Sequence, residues 1–243
     1  MKHRLCLPEL ELEPPGPGTK ITLSTEHAHY LGRVLRLKPG AEIGLFDGAG
    51  NEWPAELASM ESRKVEAVVR ADAQRDPAPA PLVLVSSWLK GNAMDQVVQK
   101  AVELGATAVW LLDAERSNFK ADAKRRTNKL KHLRKIARSA AEQCETRWLP
   151  DIVEVGTLAD LLTLERPGRT LFLDLGGQPL NTDTPEPLTL VIGPEGGWSD
   201  AERALVQGAG DVEIVGLGPL TLRAETAPLA VLAAIRQSWG WQR

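Results

Sequence analysis

The sequence predicts an α/β protein in which a C-terminal domain built on a parallel sheet follows a smaller, β-rich N-terminal unit. Three observations carry this reading. Leu188-Thr-Leu-Val-Ile192 is an aliphatic and β-branched run without polar alternation, as expected of a strand covered on both faces. It runs straight into Gly193-Pro-Glu-Gly-Gly197, a turn in which the backbone can approach a ligand, and then into Ser199 and Glu202, whose spacing is that of a capping box opening a helix. Finally, Asp76-Pro-Ala-Pro-Ala-Pro81 is an extended spacer, and the hydrophobic pattern changes across it. The boundaries expected are residues 1–72 for the first domain, 73–81 for the linker, through which no element should run, and 82–243 for the second.

Before the linker the segments are short and separated by turn signals such as Pro39-Gly40 and Asp47-Gly-Ala-Gly50. Strands are expected at 21–24, 42–46, 52–57 and 64–69, with a short helix near His29–Leu37, and a small barrel or sandwich is the natural arrangement. After the linker, strands alternate with helices. Leu82–Ser87 reads as a buried strand. Asn92 reads as a helix cap, Met94, Val97, Val98, Ala101 and Val102 as an apolar stripe, and Gly105 as the stop. A strand at 106–112 precedes a basic helix with Leu130, Leu133, Ala137, Ala140, Ala141 and Cys144 on one face and Lys131, Arg134, Lys135 and Arg138 largely on the other. Strands at 170–175, 188–193 and 213–217 follow, and a final helix starts at Pro228.

Composition narrows the class. A chain of 243 residues with 43% hydrophobic and 25% charged residues is an ordinary globular sequence with a packed core. No apolar run approaches the ~20 residues that span a bilayer, and the N-terminus lacks the apolar segment of a signal peptide. Two distant cysteines give neither a disulfide framework nor zinc spacing, and His27 with His29 has nothing beside it to complete a metal site. A cytoplasmic protein without a bound metal is the expectation. The net charge of −3 excludes a generally basic nucleic-acid binder, yet residues 115–147 carry eleven Lys/Arg against four Asp/Glu, a patch that attracts phosphate.

Three expected strand ends carry loops near the C-terminus: Asp174-Leu-Gly-Gly177, Gly193–Gly197 and Leu217–Thr226. Parallel strands would open all three on one edge and form one glycine-lined pocket. Neither a dinucleotide fingerprint nor a Walker loop is present, and there is no Gly-x-Ser-x-Gly elbow. Backbone and apolar groups suit a neutral or cationic adenosine-type ligand better than a triphosphate.

Gly193-Pro-Glu-Gly-Gly197 together with Leu217-Gly-Pro-Leu-Thr-Leu-Arg-Ala-Glu-Thr-Ala227 resembles the RsmE-type family, bacterial methyltransferases for N3 of a uridine in small-subunit (16S) rRNA within the SPOUT superfamily. Gln99–Gly105, Glu115-Arg-Ser117, Ala141-Glu-Gln143 with Arg147 and Pro150, and His29-x-x-x-Val-Leu-Arg-Leu-Lys-x-Gly40 match it in the same order, so the resemblance covers nearly the whole chain. It implies a PUA-like N-terminal β-barrel for RNA, a C-terminal domain with a deep trefoil knot holding S-adenosylmethionine (AdoMet), and a homodimer acting on the small ribosomal subunit. By motif, Leu173, Ile192, Gly193, Pro194, Glu195, Gly196, Gly197, Leu217, Gly218, Leu222, Thr226 and Ala227 would hold the cofactor. Arg223 and Glu225 would be catalytic, the first stabilising a uracil anion and the second acting as base or orienter. RNA would meet Arg33, Arg36, Lys90, Arg116, Arg134, Arg138 and Arg147. Leu220 stands where the family commonly has a basic residue, which leaves Arg223 as the cation of that loop. The competing readings are a SPOUT enzyme methylating a ribose 2′-oxygen and a non-catalytic RNA-binding assembly factor.

Overall fold

The computed structural model describes residues 3–61 and 65–240; Lys64, at the start of one expected strand, lies outside them. The chain forms two compact units. One comprises residues 1–78 and 141–149, the other residues 79–140 and 150–243.

The first unit contains β1 (Arg4–Cys6), β2 (Lys20–Leu23), α1 (Thr25–His29), β3 (Glu42–Phe46), β4 (Asn51–Met60), β5 (Val65–Val69) and β6 (Gln74–Arg75). Its sheet runs β1-β3-β4-β5-β2, with β6 added to β4. β1 and β3 pair in parallel, and the other pairings among the described residues are antiparallel. The expected barrel thus takes the form of a six-stranded sheet packed over Leu5, Leu31, Ile43, Leu45, Leu57 and Val65, all buried. The helix expected near residue 29 starts at Thr25, because the Ser24 hydroxyl accepts the His27 amide at 3.2 Å, and it continues as a π-helical turn over Tyr30–Val34.

Two expectations at the boundary need correction. β6 occupies Gln74 and Arg75 at the start of the predicted linker, since these residues come before its prolines and keep their amides for pairing with Glu52 and Asn51. Residues 141–149 also join the first unit, far from it in sequence. Arg4 pairs with Glu52 at 2.8 Å, and Arg147 donates to Glu52 and Asp76, the second at 2.5 Å, and to Gln74. The Arg4 guanidinium also donates to the carbonyls of Ala141 and Thr146 and lies over the Phe46 ring at 4.5 Å. Gly44 makes room for this cluster, as a Cβ there would stand 2.2 Å from a Glu52 oxygen.

The second unit contains β7 (Leu82–Ser87), α2 (Ala93–Glu103), β8 (Ala108–Asp113), α3 (Ala123–Cys144, whose last turn belongs to the first unit), β9 (Asp151–Thr157), α4 (Leu158–Thr163), β10 (Arg169–Pro179), β11 (Leu188–Ile192), α5 (Asp200–Gly208), β12 (Val212–Gly216) and α6 (Thr226–Ser238). The sheet order is β12-β10-β11-β7-β8-β9, and every pairing is parallel. β7 and β11 lie at its centre and are buried at every position, which is what their unbroken aliphatic runs predict. The chain winds outward through β8 and β9 and then returns to place β10 and β11 on the other side of β7. Its strand order therefore reverses at the β7–β11 boundary, where open α/β sheets bind ligands at the carboxyl ends.

β9 and α4 escape the sequence reading. β9 is an edge strand that buries only Ile152, so its periodicity is faint. α4 carries a capping box in which Thr157 and Asp160 bond reciprocally, a signal that was available in the sequence. Asn92 precedes α2 without a side-chain cap bond; the backbone turn Gln96 N–H to Asn92 carbonyl opens the helix instead. At the other end of α2, Gly105 has φ +75°, and an added Cβ would stand 1.8 Å from the Arg236 guanidinium of α6, which donates to the Leu104 carbonyl. Gly105→Ala is expected to lower stability by about 1–3 kcal/mol, from the left-handed backbone and the displaced arginine. Denaturant unfolding measures this directly.

Among the described residues, no helix is long and apolar enough to cross a membrane, and no group of three or more His, Cys, Asp or Glu could hold a metal ion.

Candidate active site

The carboxyl ends of β10, β11 and β12 open on one cavity of about 170 Å³ within the second unit. Each strand end reaches it by a different local device. β10 bulges: Leu173 and Gln178 both register against Val215, so residues 174–177 are extruded between them. The extruded residues are those of the expected loop at 174–177, but the strand does not end there: it resumes and runs on to Pro179. Gly177 permits the excursion, since a Cβ there would meet the Val215 and Gly216 backbone at 2.4–2.8 Å. β11 ends at Ile192, and the next turn is closed by the Gly197 amide donating to the Pro194 carbonyl at 2.9 Å, with Gly197 at φ +64°. β12 leads into Leu217–Glu225, where Gly218 has φ +101° and the amides of Thr226 and Ala227 both donate to the Arg223 carbonyl to start α6.

Trp198 is the floor of this arrangement, and the sequence reading gave it no role in the site. It is 1% exposed, stacks on Phe172 with ring centroids 4.5 Å apart, and donates its indole N–H to the Leu173 carbonyl at 2.9 Å. Gly193 is glycine for the same reason, as a Cβ would come within 2.9 Å of the indole. Ser199 and Glu202 form the expected capping box at the start of α5. The second Glu202 oxygen accepts the Glu115 amide at 3.0 Å, tying α5 to the end of β8. Arg203 grips Asp174 with two nitrogens, at 2.6 and 3.1 Å, and donates to the Trp198 carbonyl at 2.9 Å. Hydrogen bonding to Asp174 outweighs burial and holds the Arg203 guanidinium above its usual range.

Ten of the twelve residues expected to hold a cofactor line this cavity: Leu173, Ile192, Gly193, Pro194, Glu195, Gly197, Leu217, Gly218, Leu222 and Ala227. Gly196 does not. It backs onto Arg116, whose Cβ and carbonyl oxygen would lie 2.9 and 3.0 Å from an added Cβ, so its smallness serves packing. Thr226 is exposed at the first turn of α6. Asp174, Leu175, Trp198, Arg203, Val215, Leu220, Thr221 and Ala224 complete the wall. Arg223 and Glu225 stand beside the cavity rather than in its wall. The Arg223 side chain is 86% exposed, and its guanidinium lies 3.9 Å from a Glu225 oxygen.

The cations expected to meet RNA are divided between the units. Arg33 and Arg36 are exposed in the first, Arg36 at φ +55°, whereas Arg147 is bonded to Glu52, Asp76 and Gln74 and is a structural clamp. In the second unit Lys90, Arg116 and Arg138 are exposed and in no ion pair with a described residue, while Arg134 donates to the Ile152 carbonyl at 2.8 Å. The basic face of α3 is partly consumed in holding the helix down. Arg126 binds Asp113 and Glu154, and Lys129 and His132 bind Asp95. Hydrogen bonds from Lys129 and His132 overcome the opposing effect of burial and lower the Asp95 carboxyl below its ordinary value.

A parallel sheet with a glycine-lined cavity at its carboxyl edge, preceded by a small β unit, defines a class of two-part α/β proteins, and known proteins define it further. A family described as RNA methyltransferase domain matches residues 76–236, and one described as RNA methyltransferase PUA domain matches residues 23–70. Ribosomal RNA small subunit methyltransferase E of Synechocystis is 34% identical over 97% of this chain and 77% of its own length. The Bacillus subtilis protein of the same name is 31% identical, over 88% of each chain. The crystal structure of the Neisseria gonorrhoeae methyltransferase E bound to S-adenosyl methionine superposes with a TM-score of 0.86 at 30% identity, covering 98% of both chains. The chain belongs to the ribosomal RNA small subunit methyltransferase E family.

Proposed function

We propose that this protein transfers a methyl group from AdoMet to N3 of a uridine in 16S rRNA of the small ribosomal subunit. The observation that carries the reading is the cavity itself. Its wall combines apolar side chains, backbone groups of three glycine turns, and carboxylates without a surplus cation, which fits an adenosyl ligand carrying positive charge and does not fit a polyphosphate. The relatives' names and the AdoMet-bound neighbour point the same way.

In this reading Leu173, Ile192, Leu217 and Leu222 would cover the adenosine, and the turns at Pro194–Gly197 and Leu217–Gly218 would offer backbone groups to its polar edges. AdoMet supplies an activated methyl group when bound. The chain must orient the base in line with it and exclude water, which the buried Trp198 and Pro194 assist. Uracil N3 must also lose a proton. The Arg223 guanidinium would stabilise the negative charge spread over N3 and the ring oxygens, and Glu225 would hold Arg223 in place or take the proton. The exposure of Arg223 suits a group that meets a macromolecular substrate. Arg33, Arg36, Lys90, Arg116 and Arg138 would contact phosphates, with the target nucleotide unpaired or extruded because pairing hides N3. The trefoil knot, the homodimer and a cytoplasmic location belong to the same proposal.

Radiolabelled methyl transfer to small subunits lacking the modification tests it, with the labelled nucleoside identified by mass. Wild type is expected to label uridine N3, and Arg223→Ala to lose about 100-fold or more in turnover. A label on a ribose 2′-oxygen would replace N3 with the competing atom. AdoMet binding without transfer to subunits or free rRNA would leave a binding-only assembly factor.

A further inference from the structure

The charges on the cavity wall do not cancel. Asp174 and Arg203 neutralise each other through two hydrogen bonds. Glu195 is the other charged side chain of the wall, and it has no hydrogen bond or ion pair with a described residue. It is exposed at the second position of the turn that Pro194 and Gly197 close, so the carboxylate is carried on a fixed backbone at the edge of the cavity. The wall therefore presents one uncompensated negative charge.

Methyl transfer changes the charge of what the cavity would hold. One carbon–sulfur bond breaks with its electron pair remaining on sulfur, and one carbon–nitrogen bond forms from the lone pair of N3 after its proton has passed to base. AdoMet, with sulfonium, ammonium and carboxylate, carries a net +1. The thioether product S-adenosylhomocysteine carries none. We propose that Glu195 distinguishes the two by charge, favouring the sulfonium form and releasing the neutral product. This inference rests on the cofactor reading given above. A carboxylate that used its oxygens to hold the ribose would bind both forms alike; a carboxylate acting through its charge separates them. Because Glu195 faces solvent, the preference is modest and is screened by salt.

Isothermal titration calorimetry of the full chain with AdoMet, S-adenosylhomocysteine and sinefungin, an analogue with an ammonium near the sulfonium position, tests the assignment. Glu195→Gln is expected to weaken AdoMet and sinefungin roughly fivefold at low salt and to leave S-adenosylhomocysteine unchanged. Glu195→Asp, which keeps the charge, should retain most of the preference, and raising the salt about tenfold should erase most of it in wild type. Equal weakening of all three ligands in Glu195→Gln would overturn the proposal and make Glu195 a ligand of the shared adenosyl part. No change for any of them would overturn it as well. Failure of wild type to bind all three would overturn the cofactor reading together with it, so the two failures are distinct.

Discussion

Glu52→Ala is expected to destabilise the first unit by about 3–5 kcal/mol, the range for removing one partner of a buried ion pair. Glu52 is 5% exposed, and its two oxygens serve two arginines that come from opposite ends of the unit's sequence. Deleting it leaves the Arg4 side chain, 3% exposed, with two backbone carbonyls and no counter-charge among the described residues. It also releases the clamp that draws residues 141–149 onto the sheet. Glu52→Gln keeps the shape and one acceptor, so its cost should be smaller. Burial by itself would raise the Glu52 pKa, but the hydrogen bonds and charges of Arg4 and Arg147 outweigh it, and the carboxyl is held below its ordinary value of 4.5. A group with a lowered folded pKa stabilises above its unfolded value and loses that contribution as pH falls through the folded one. Wild type should therefore lose stability below about pH 4.5, while Glu52→Gln lacks that component. Chemical denaturation at pH 7 and at pH 3.5–4 gives both numbers, and identical pH slopes in the two proteins would remove Glu52 from the account.

Trp198→Ala is expected to cost about 3–5 kcal/mol and to abolish ligand binding at the cavity. The indole is fully packed between Phe172 and the Gly193 backbone, so truncation opens a void beneath the Pro194–Gly197 turn and removes the N–H bound to the Leu173 carbonyl. Trp198→Phe preserves most of the stacking and loses the hydrogen bond, for about 1 kcal/mol. If binding by Trp198→Ala at permissive temperature matched wild type, the turn would hold its shape without the indole, and Trp198 would be a core residue only.

Much of the second unit was legible along the chain. β7 and β11 announce themselves as uninterrupted aliphatic runs because both faces are covered, and Ser199 with Glu202 marks the start of α5 because the capping box is a local device. The glycines at 193, 197 and 218 pointed to the cavity, since a tight turn restricts residue choice at the turn itself. Legibility failed where the reason for a residue lies elsewhere. Nothing near Gly193 announces that Trp198 lies against it, and nothing near Gly196 names Arg116 as its neighbour. Arg126 reads as one charge of a phosphate-attracting stretch and Arg134 as part of a cationic helix face until their partners Asp113, Glu154 and the Ile152 carbonyl are seen. β9 was missed because an edge strand needs only one buried residue.

Sequence alone thus determined the class of the chain, the βα alternation after residue 82, and the turns that form the cavity, because periodicity, capping and glycine conformation act over a few residues. Tertiary structure decided what those residues do together: that residues 174–177 leave β10 as a bulge, that Trp198 floors the cavity, and that Arg147 is spent on Glu52 and Asp76 in the first unit. These depend on which side chains from distant segments meet in a dry interior. There an unpaired charge or a void costs several kcal/mol, and only the folded chain brings the partners into range.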